Sequence, residues 1–240
     1  MNKRVVITGA NGAIGSSIAK KLSGHRLLLI GSNRNTQQLE QVAENLKAEA
    51  FISADFESST SISETNSKIL ETLGGVDVLV NCAGIAIDNL FLRVSDDEWN
   101  RQIQVNLTAA WKMSQFAALQ MSRQKWGRII SISSVIGHLG NKGQCAYAAS
   151  KAGLLGMTRS LAREVASRGV TVNTISPGFI ISAMTQHILD NKEFSQKLLE
   201  TIPAGQFGKP EDVSDAVAFL IDAPYVTGVD IPVSGGMFMN

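Results

Sequence analysis

The sequence contains few cysteines, and its prolines are confined to one region. Only two of the 240 residues are cysteines, Cys82 and Cys145, and they form no CxxC or other metal-ligand spacing. This pattern excludes a disulfide-rich scaffold and predicts two reduced thiols and no metal site. All five prolines fall between Pro177 and Pro232, so loops are expected to interrupt the regular elements mainly in the last third of the chain.

The sequence also lacks an excess of charge and any long apolar run. Its 22 basic and 21 acidic residues give a formal net charge of +1, whereas nucleic-acid-binding proteins usually carry a strongly basic surface. No uninterrupted apolar run approaches the ~20 residues of a membrane span, and the first residues, MNKRVVITG, include no apolar signal segment. We therefore expect a cytoplasmic protein that binds neither nucleic acid nor membrane.

Short apolar runs alternate with longer segments of helical periodicity along the whole chain. Runs without period-two alternation are typical of strands that are buried on both faces, and they occur at Arg4–Thr8, Arg26–Ile30, Ala50–Ser53, Val76–Val80, Arg128–Ser131, Val170–Ile175 and Val229–Val233. Apolar residues recur at helical spacing in Ile14–Leu22, Thr36–Leu46, Ile62–Leu73, Asp96–Met121, Ala146–Arg168 and Glu211–Ile221. The alternation predicts an α/β fold, a single doubly wound Rossmann-type domain over residues 1–240 with a mostly parallel seven-stranded sheet.

One irregular insertion, about residues 178–210, interrupts this alternation after the sixth strand. Ligands of doubly wound sheets bind beyond the carboxyl ends of the strands, so the insertion is placed to cover a ligand. A helix is expected near Met184–Glu200, with Met184, Ile188 and Leu189 on one side. Two interpretations stay open, since this apolar side either packs on the domain or acts as a lid.

A glycine-rich turn joins the first strand to the first helix. The segment RVVITGANGAIG contains Gly9, Gly12 and Gly15. Glycines at such a turn allow a tight bend, a close approach of the backbone to a pyrophosphate and close helix–strand packing, while the helix N-terminus offers unpaired N–H groups. No GK[ST] follows the glycines, which argues against a P-loop and ATP hydrolysis. The turn therefore predicts that a dinucleotide binds here.

The end of the second strand indicates which dinucleotide binds. Sites that prefer NAD usually carry an acidic residue there, which holds the ribose 2′-hydroxyl. Here the strand ends LLLIGSNRN, with Gly31 and Ser32 in place of an acid and Arg34 two residues further on. No carboxylate repels a 2′-phosphate and a guanidinium is near to meet it, although a solvated loop charge is the alternative interpretation of Arg34. We favour NADP(H) over NAD(H).

The segment CAYAASKAG places Tyr147 and Lys151 four residues apart. In a helix, such residues lie on one face with Cβ atoms about 5–6 Å apart, and the intervening residues are small. A free tyrosine has a pKa of about 10, and a neighbouring positive charge is expected to lower the pKa of Tyr147 because it favours the phenolate. The pair therefore predicts a proton donor, the Tyr147 phenol, beside a cation, the Lys151 ammonium. The same spacing also occurs on ordinary amphipathic helices.

Six motifs occur in order along nearly the whole chain: TGANGAIG, NCAG, VNLTAAW, ISSVIG, YAASK and SPG. Their order and spacing resemble those of the short-chain dehydrogenase/reductase family. The segment from Gly140 to Ile180 and the terminal YVTG and SGGMFMN are similar to bacterial 3-oxoacyl-[acyl-carrier-protein] reductases. The resemblance implies NADPH-dependent reduction of a 3-oxoacyl thioester in fatty-acid biosynthesis, with acyl carrier protein as a partner. It also implies a homotetramer built through Asp96–Met121 and Ala146–Arg168.

The resemblance further implies roles for individual residues. Tyr147 and Lys151 join a catalytic tetrad with Asn106 and with Ser134, the serine thirteen residues before the tyrosine. Tyr147 is the implied acid, Ser134 the donor to the substrate carbonyl, and Asn106 the support of a water relay toward Lys151. The implied cofactor contacts are Thr8, Gly9, Asn11, Gly12, Ile14, Gly15, Arg34, Asp55 on the adenine side, Asn81, Ala83, Gly84, Tyr147, Lys151, Pro177, Gly178, Ile180 and Ser182.

Two features depart from the family pattern. Short members usually have a glycine at the position of Ala13, often after a basic residue, whereas this chain has its middle glycine at Gly12. The missing basic residue removes one familiar contact to a 2′-phosphate. Ser182 stands where threonine is commoner, but it keeps the hydroxyl that is expected to hold the carboxamide.

Other functions compete with this one. The same machinery would suit an acyl-CoA, a steroid or a sugar, and a cofactor-binding regulatory protein would show a broken tetrad, which this sequence does not. A Ser-His-Asp hydrolase is disfavoured because no GxSxG motif exists, so His138 is expected to line the substrate mouth or to face solvent. The resemblance also suggests a basic docking patch for the acidic carrier protein near the site entrance, with Arg123, Lys125, Arg128 and Arg168 as candidates. The alternative interpretation is that these charges flanking a strand are simply solvated.

Overall fold

Strands and helices alternate along the chain, as the sequence predicts. The computed structural model describes residues 2–33, 35–182, 185–186 and 190–239. Its strands are β1 Arg4–Thr8, β2 Arg26–Ser32, β3 Ala50–Ala54, β4 Val78–Asn81, β5 Gly127–Ile132, β6 Val170–Pro177 and β7 Asp230–Val233. Its helices are α1 Ala13–Lys21, α2 Thr36–Leu46, α3 Ser59–Leu73, α4 Asp96–Ile103, α5 Ala109–Gln124, α6 Ile136–Leu139, α7 Cys145–Val165, α8 Lys192–Leu199 and α9 Pro210–Asp222. Four residues used in the sequence argument lie outside the described residues: Arg34, Met184, Ile188 and Leu189.

In the described part of the chain, seven strands form a sheet in the order β3-β2-β1-β4-β5-β6-β7. Every neighbouring pair is parallel, so the predicted doubly wound sheet is confirmed. The chain winds outward from β1 through β2 and β3 and then returns to the other side of β1 with β4. Strand order therefore reverses between β1 and β4, and the crevice at such a switch point is where doubly wound folds bind ligands.

Alternate residues of each strand pack into two helical layers. In β1, Val5 and Ile7 face α1, α2 and α9, whereas Val6 faces the layer formed by α3, α5 and α7. All three side chains are fully buried, and each contributes roughly 1.5–3 kcal/mol relative to exposure. Because both faces are covered, the strands read as continuous apolar runs rather than as alternating ones. None of the helices among the described residues has the length and apolar character to cross a membrane.

A charged pair marks the point where β1 meets β4. Arg4, the first residue of β1, donates from Nη2 to Asp77 Oδ1 at 2.6 Å and from Nε to Asp77 Oδ2 at 3.1 Å. Burial opposes ionisation of Asp77, but the hydrogen bonds from Arg4 outweigh it and hold the pKa of Asp77 below its usual value. The pair joins residues 73 positions apart and lies next to the first register pair of the two strands, Val5 with Val78.

The helix predicted over Asp96–Met121 is interrupted, so that prediction is wrong in one detail. Ser95 and Glu98 form a capping box that starts α4. Residues Gln104–Thr108 then form a π turn before α5 begins. A π turn inserts an extra residue into a helix and is frequent at functional sites. Here it contains Asn106, whose side chain is buried.

Candidate active site

A cavity of about 520 Å³ opens at the carboxyl ends of the strands, across the switch point between β1 and β4. Its walls come from the turn after β1, the ends of β2 and β3, and the segments that follow β4, β5 and β6. Most of the predicted cofactor contacts line it: Gly9, Asn11, Gly12, Ile14, Gly15, Asp55, Ala83, Gly84, Tyr147, Lys151, Pro177 and Ser182. Ser134 lines the same cavity.

The turn after β1 requires glycine at two of its three glycine positions. Gly9 has a φ of +68°, and a Cβ there would lie 2.8 Å from the backbone nitrogen of Ala83. A Cβ on Gly15 would lie 2.2 Å from the carbonyl oxygen of Gly9, whereas a Cβ on Gly12 would meet that oxygen only at 3.3 Å. Residues 13–16 at the start of α1 line the cavity. The helix N-terminus therefore borders it, which is the arrangement that binds a pyrophosphate.

The ends of β2 and β3 line one part of the cavity. Ser32 ends β2, Asn33 follows it, and Asp55 follows β3. Asp55 Oδ1 accepts from the backbone N–H of Glu57 at 3.0 Å, so the carboxylate is fixed in the turn that leads to α3. Arg34, which was predicted to meet a 2′-phosphate, lies outside the described residues, and its role stays a prediction.

Ser134 and Tyr147 meet at another part of the cavity. Tyr147 lies in the first turn of α7, and Ser134 lies in the turn after β5. Ser134 acts on the Tyr147 phenol as a hydrogen-bonding neighbour that lowers the pKa of Tyr147, and Ser134 Oγ accepts from the backbone N–H of Ile136 at 3.2 Å. Two adjacent hydroxyls offer a carbonyl oxygen two donors, which is the arrangement needed to bind and protonate it.

The neighbouring serines have other partners. Ser131 is fully buried in β5, where its Oγ accepts from Asn81 Nδ2 at 3.2 Å. Ser133 Oγ donates to the carbonyl oxygen of Lys151 at 3.0 Å. Of the three serines, Ser134 is therefore the one whose hydroxyl meets Tyr147.

Lys151 is buried beside Tyr147. Its Nζ lies 5.6 Å from the Tyr147 ring centroid and donates to the carbonyl oxygen of Ile132 at 2.8 Å. Because the residue is only 5% exposed, burial lowers the pKa of Lys151 to about 8. The ammonium is thus held against the end of β5, where it gives up its proton more readily than an exposed lysine.

The expected lowering of the Tyr147 pKa is wrong for the chain alone. Burial raises the pKa of Tyr147 above its ordinary value of 10.0, and the hydrogen bond with Ser134 only partly opposes this. Burial likewise disfavours the ammonium of Lys151, so desolvation is the largest influence on the pKa of both groups. Tyr147 is therefore a neutral phenol at neutral pH, which is the form that can donate a proton.

We expect Lys151→Met to be more stable than the wild-type protein at neutral pH, by roughly 1–3 kcal/mol. The gain from removing a buried charge exceeds the loss of the hydrogen bond to Ile132. The pKa of Lys151 is about 8 in the folded protein, against an ordinary value of 10.5. As the pH rises, Lys151 therefore loses its proton in the folded state before it does so in the unfolded state. Below pH 8 the buried charge costs stability, and this cost is relieved as the pH rises toward 10.5.

Urea titrations from about pH 7 to 10 measure this effect. The difference in free energy of unfolding between Lys151→Met and wild type should shrink as the pH rises. Lys142→Met is the matched control, since Lys142 is exposed and its replacement removes no buried charge. A difference for Lys151→Met that stays constant with pH would contradict charge burial as its cause.

Asn106 ties the π turn to the wall of the cavity. Its Oδ1 accepts from the backbone N–H of Ile85 at 2.8 Å, and its Nδ2 donates to the Ile85 carbonyl at 2.9 Å and to Ser150 Oγ at 3.1 Å. A Cβ on Gly84 would lie 3.3 Å from Asn106 Oδ1 and 3.5 Å from Lys151 Nζ. Asn106 therefore lies behind the wall rather than in the lining. The four predicted catalytic residues form one group, and the contact with Ile85 accounts for the interruption of the helix.

Some predicted cofactor contacts lie outside the cavity lining, namely Thr8, Asn81, Gly178 and Ile180. Thr8 Oγ1 accepts from the backbone N–H groups of Cys82 and Ala83, at 3.0 and 3.1 Å, and so joins the ends of β1 and β4. Asn81 is buried in β4, and its Oδ1 has no hydrogen-bond partner among the described residues. These residues support the wall, and their direct contact with a cofactor stays a prediction.

Several residues that line the cavity were not predicted from the sequence: Ala13, Ser16, Asn33, Gln38, Ala54, Phe56, Glu57, Cys82, Ile85, Val105, Ile132 and Ser133. Ser32 also lines the cavity, but the sequence argument used it only as the position at which an acidic residue is absent. Asn33 was recoverable, because it directly follows the second strand. Gln38 reaches the cavity from α2, and no local pattern signals this. Burial raises the pKa of Cys82 to about 11, so this lining thiol stays protonated.

The basic residues expected at the entrance lie at the opposite edge of the sheet. Arg123 and Lys125 precede β5 and Arg168 precedes β6, whereas the cavity opens where these strands end. Because β5 has 6 residues, about 20 Å separates the two edges. Arg128 is buried and donates to the carbonyl oxygen of Ile221 at 2.9 Å. The expected position of these residues beside the entrance of the same chain is therefore wrong, while their role in docking stays a prediction.

The fold and the cavity together define a class of protein. A doubly wound sheet with a glycine turn after its first strand is typical of dinucleotide-binding proteins. A neutral tyrosine phenol beside a serine hydroxyl and a buried lysine, in the same cavity, is a proton donor placed next to a carbonyl-binding site. These features together are those of a dinucleotide-dependent oxidoreductase.

Comparison with known proteins identifies the family. A family model described as enoyl-(acyl carrier protein) reductase matches residues 9–238. The chain is 42% identical over 244 residues to a 3-oxoacyl-[acyl-carrier-protein] reductase FabG of Pseudomonas aeruginosa, 43% over 243 residues to that of Vibrio harveyi and 41% over 240 residues to that of Escherichia coli. Each comparison covers 99% of this chain and 98% of the relative. The chain belongs to the short-chain dehydrogenase/reductase family and is an oxidoreductase.

Family membership implies a nicotinamide dinucleotide, and the cavity fits one. Side chains at Gly9 and Gly15 would collide with neighbouring backbone, and their absence lets the turn bend closely past the start of α1. The helix N-terminus beside it suits the pyrophosphate. The polar groups of Ser32 and Asp55 suit an adenosine ribose and base, and Tyr147 with Lys151 borders the space left for the nicotinamide.

Proposed function

We propose that the protein reduces 3-oxoacyl-[acyl-carrier-protein] to 3-hydroxyacyl-[acyl-carrier-protein] with NADPH, in fatty-acid biosynthesis. One observation carries the proposal: Ser134, Tyr147 and Lys151 border one cavity, and that cavity fits a dinucleotide. The identity of 41–43% to relatives named for this reaction extends over almost the full chain. None of the relatives named above is named for a reaction on an acyl-CoA, a steroid or a sugar.

The residues of the chain supply the proton side of the reaction. The ketone oxygen accepts hydrogen bonds from the hydroxyls of Ser134 and Tyr147. When bound, the reduced nicotinamide supplies a hydride to the ketone carbon. Tyr147 transfers its phenolic proton to the oxygen, so that C=O becomes CH–OH, and the Lys151 ammonium stabilises the phenolate that remains. Asn106 keeps Ile85 and α7 in register on the two sides of this group.

Enoyl reduction is the second candidate, because the description of the matching family model names it. In enoyl reduction the proton is added to a carbon atom. In ketone reduction it is added to the ketone oxygen, which is the atom that accepts the hydrogen bonds. The hydroxyls of Ser134 and Tyr147 border the same cavity and offer two donors to a ketone oxygen, which favours ketone reduction. The relatives named above are likewise 3-oxoacyl reductases.

The test is the loss of NADPH absorbance with matched thioester substrates. A 3-oxoacyl and a 2-enoyl chain of equal length are supplied on acyl carrier protein and, separately, on coenzyme A. We expect turnover of the 3-oxoacyl substrate with a preference for the carrier-linked form. Turnover of only the enoyl substrate would establish the second candidate. A preference for the coenzyme A thioester would refute the carrier as partner.

NADPH is proposed over NADH because the end of β2 presents Ser32 and Asn33 to the cavity and no carboxylate. We expect Ser32→Asp to lower kcat/KM for NADPH by about 10- to 100-fold, since a carboxylate repels a 2′-phosphate. The value for NADH should change far less. Ser32→Asn, which adds a polar group without charge, is the matched control. An equal loss with both cofactors would contradict the assignment of the 2′-phosphate to this end of β2.

The assembly, the location and the insertion are proposed from the family resemblance. Trp111 and Leu119 of α5 are about half exposed, which supports a subunit contact along this helix, and light scattering tests for the expected homotetramer. The insertion at about residues 178–210 is proposed to cover the substrate, since Ser182 lines the cavity. The cytoplasmic location stays a prediction.

A further inference from the structure

A second polar cluster lies outside the cavity, behind the turn that carries Ser134. We call it the His138 cluster, and it consists of His138, Ser176, Asp230 and Phe238. His138 Nε2 lies 2.9 Å from Asp230 Oδ2, and Ser176 Oγ donates to Asp230 Oδ1 at 2.8 Å. The His138 ring stacks on Phe238 with centroids 4.2 Å apart. The cluster thus joins α6, β6, β7 and the C-terminal segment.

The position of His138 differs from the sequence expectation. His138 does not line the cavity, and its side chain is only 15% exposed. It therefore neither borders the substrate mouth nor faces solvent, and that expectation is wrong. The partner Asp230 lies 92 residues further along the chain, which is why local sequence patterns do not reveal the pair.

The composition of the cluster suggests a hydrolytic triad, but its geometry excludes one. Ser176 is fully buried and uses its hydroxyl to donate to Asp230, so no substrate reaches it. The Asp230 side chain is 4% exposed, and a buried carboxylate requires hydrogen-bond donors. It receives one on each oxygen. A buried network satisfied in this way fixes the elements that carry it.

The single turn α6 connects the cluster to the reaction site. The backbone N–H of Gly137 donates to the Ser134 carbonyl at 2.9 Å, and that of Ile136 donates to Ser134 Oγ at 3.2 Å. A Cβ on Gly137 would lie 3.0 Å from the carbonyl carbon of Lys151, so the turn rests directly on α7. A helix of four residues has no stability of its own. Its position therefore depends on the contacts at its two ends.

We propose that His138 is a positioning residue for the reaction. Its hydrogen bond to Asp230 fixes the far end of α6, and α6 in turn orients the Ser134 hydroxyl toward Tyr147. Ser176 provides a second link, because the next residue, Pro177, lines the cavity and accepts a hydrogen bond from the backbone of Val135. The inference rests on the proposed function, since it assigns to Ser134 the binding of the substrate carbonyl.

His138→Leu tests the proposal because it removes the donor while keeping an apolar contact for Phe238. We expect kcat for the 3-oxoacyl substrate to fall about 10-fold or more, with the Kd of NADPH unchanged. His138→Gln keeps an N–H donor at similar reach and should restore most of the rate. Leu139→Ala is the matched control, since Leu139 lies on the same turn with its side chain exposed, and it should retain the wild-type rate.

Ser134→Ala separates positioning from a general structural role. If His138 acts through Ser134, then His138→Leu in the Ser134→Ala background should change kcat by less than about 2-fold. The proposal is overturned if the fold-losses in kcat of His138→Leu and Ser134→Ala multiply in the double variant. It is also overturned if His138→Leu alone keeps the wild-type kcat. Should His138→Leu fail to fold, Asp230→Asn in the same two backgrounds gives the same comparison. A wild-type protein that reduces no 3-oxoacyl thioester would refute the proposed function instead.

Discussion

Tyr147→Phe is expected to lower kcat by about 10²–10⁴-fold while leaving the Kd of NADPH nearly unchanged. The substitution removes one hydroxyl, the group that meets Ser134, and keeps the ring that lines the cavity. Because burial holds the phenol in its neutral form, this hydroxyl is the proposed proton source for the ketone oxygen. Steady-state rates and NADPH fluorescence titrations measure the two quantities.

The chain supplies a matched control for this variant. Its other tyrosine, Tyr225, is fully exposed, so Tyr225→Phe removes the same group at a distance from the cavity and should keep the wild-type rate. A Tyr147→Phe variant with more than a tenth of the wild-type kcat would contradict the role of Tyr147 as the acid. A large rise in the Kd of NADPH would instead point to a damaged cofactor site.

Gly15→Ala is expected to destabilise the protein and to abolish cofactor binding. A Cβ at this position would lie 2.2 Å from the carbonyl oxygen of Gly9. This oxygen belongs to the backbone and the Cβ is bonded directly to the backbone, so neither atom can move aside without opening the turn. Overpacking of this kind costs about 1–3 kcal/mol or more and exceeds the roughly 1 kcal/mol that alanine gains over glycine in a helix. We expect the midpoint of thermal unfolding to fall by roughly 5–10 °C.

Gly24→Ala is the control for Gly15→Ala, because no atom of the described residues lies within 4 Å of the Cβ that it adds. Its unfolding midpoint should stay within about 2 °C of wild type, and its NADPH affinity should be unchanged. If Gly15→Ala also binds NADPH with wild-type affinity, the close contact between the first helix and the glycine turn is not what shapes the site.

The elements of the fold were predictable because their signals are local. The central residues of β1 and β2, Val5–Ile7 and Leu27–Ile30, are apolar without alternation because both faces of the sheet are covered, and the helices between the strands show an apolar face at helical spacing. The glycine turn and the YAASK segment are likewise short and contiguous. Gly9 and Gly15 have the steric roles that the sequence pattern assigns to them.

The remaining features depend on contacts between distant residues. The π turn at Asn106 exists together with a hydrogen bond to Ile85, 21 positions away. The pKa of Tyr147 was misjudged because the charge of Lys151 is visible in the sequence whereas the burial of both groups is not. Arg128 looked like a surface charge for the same reason.

The pairing of β1 with β4, beside the contact between Arg4 and Asp77, also has a consequence for folding during synthesis. At synthesis rates of about 5–20 residues per second, β4 leaves the ribosome several seconds after β1. Until then one edge of β1 has unpaired N–H and C=O groups, and such an edge invites pairing with another chain. The N-terminal third is therefore expected to be most prone to association before residue 81 has emerged, and most dependent on chaperones during that interval.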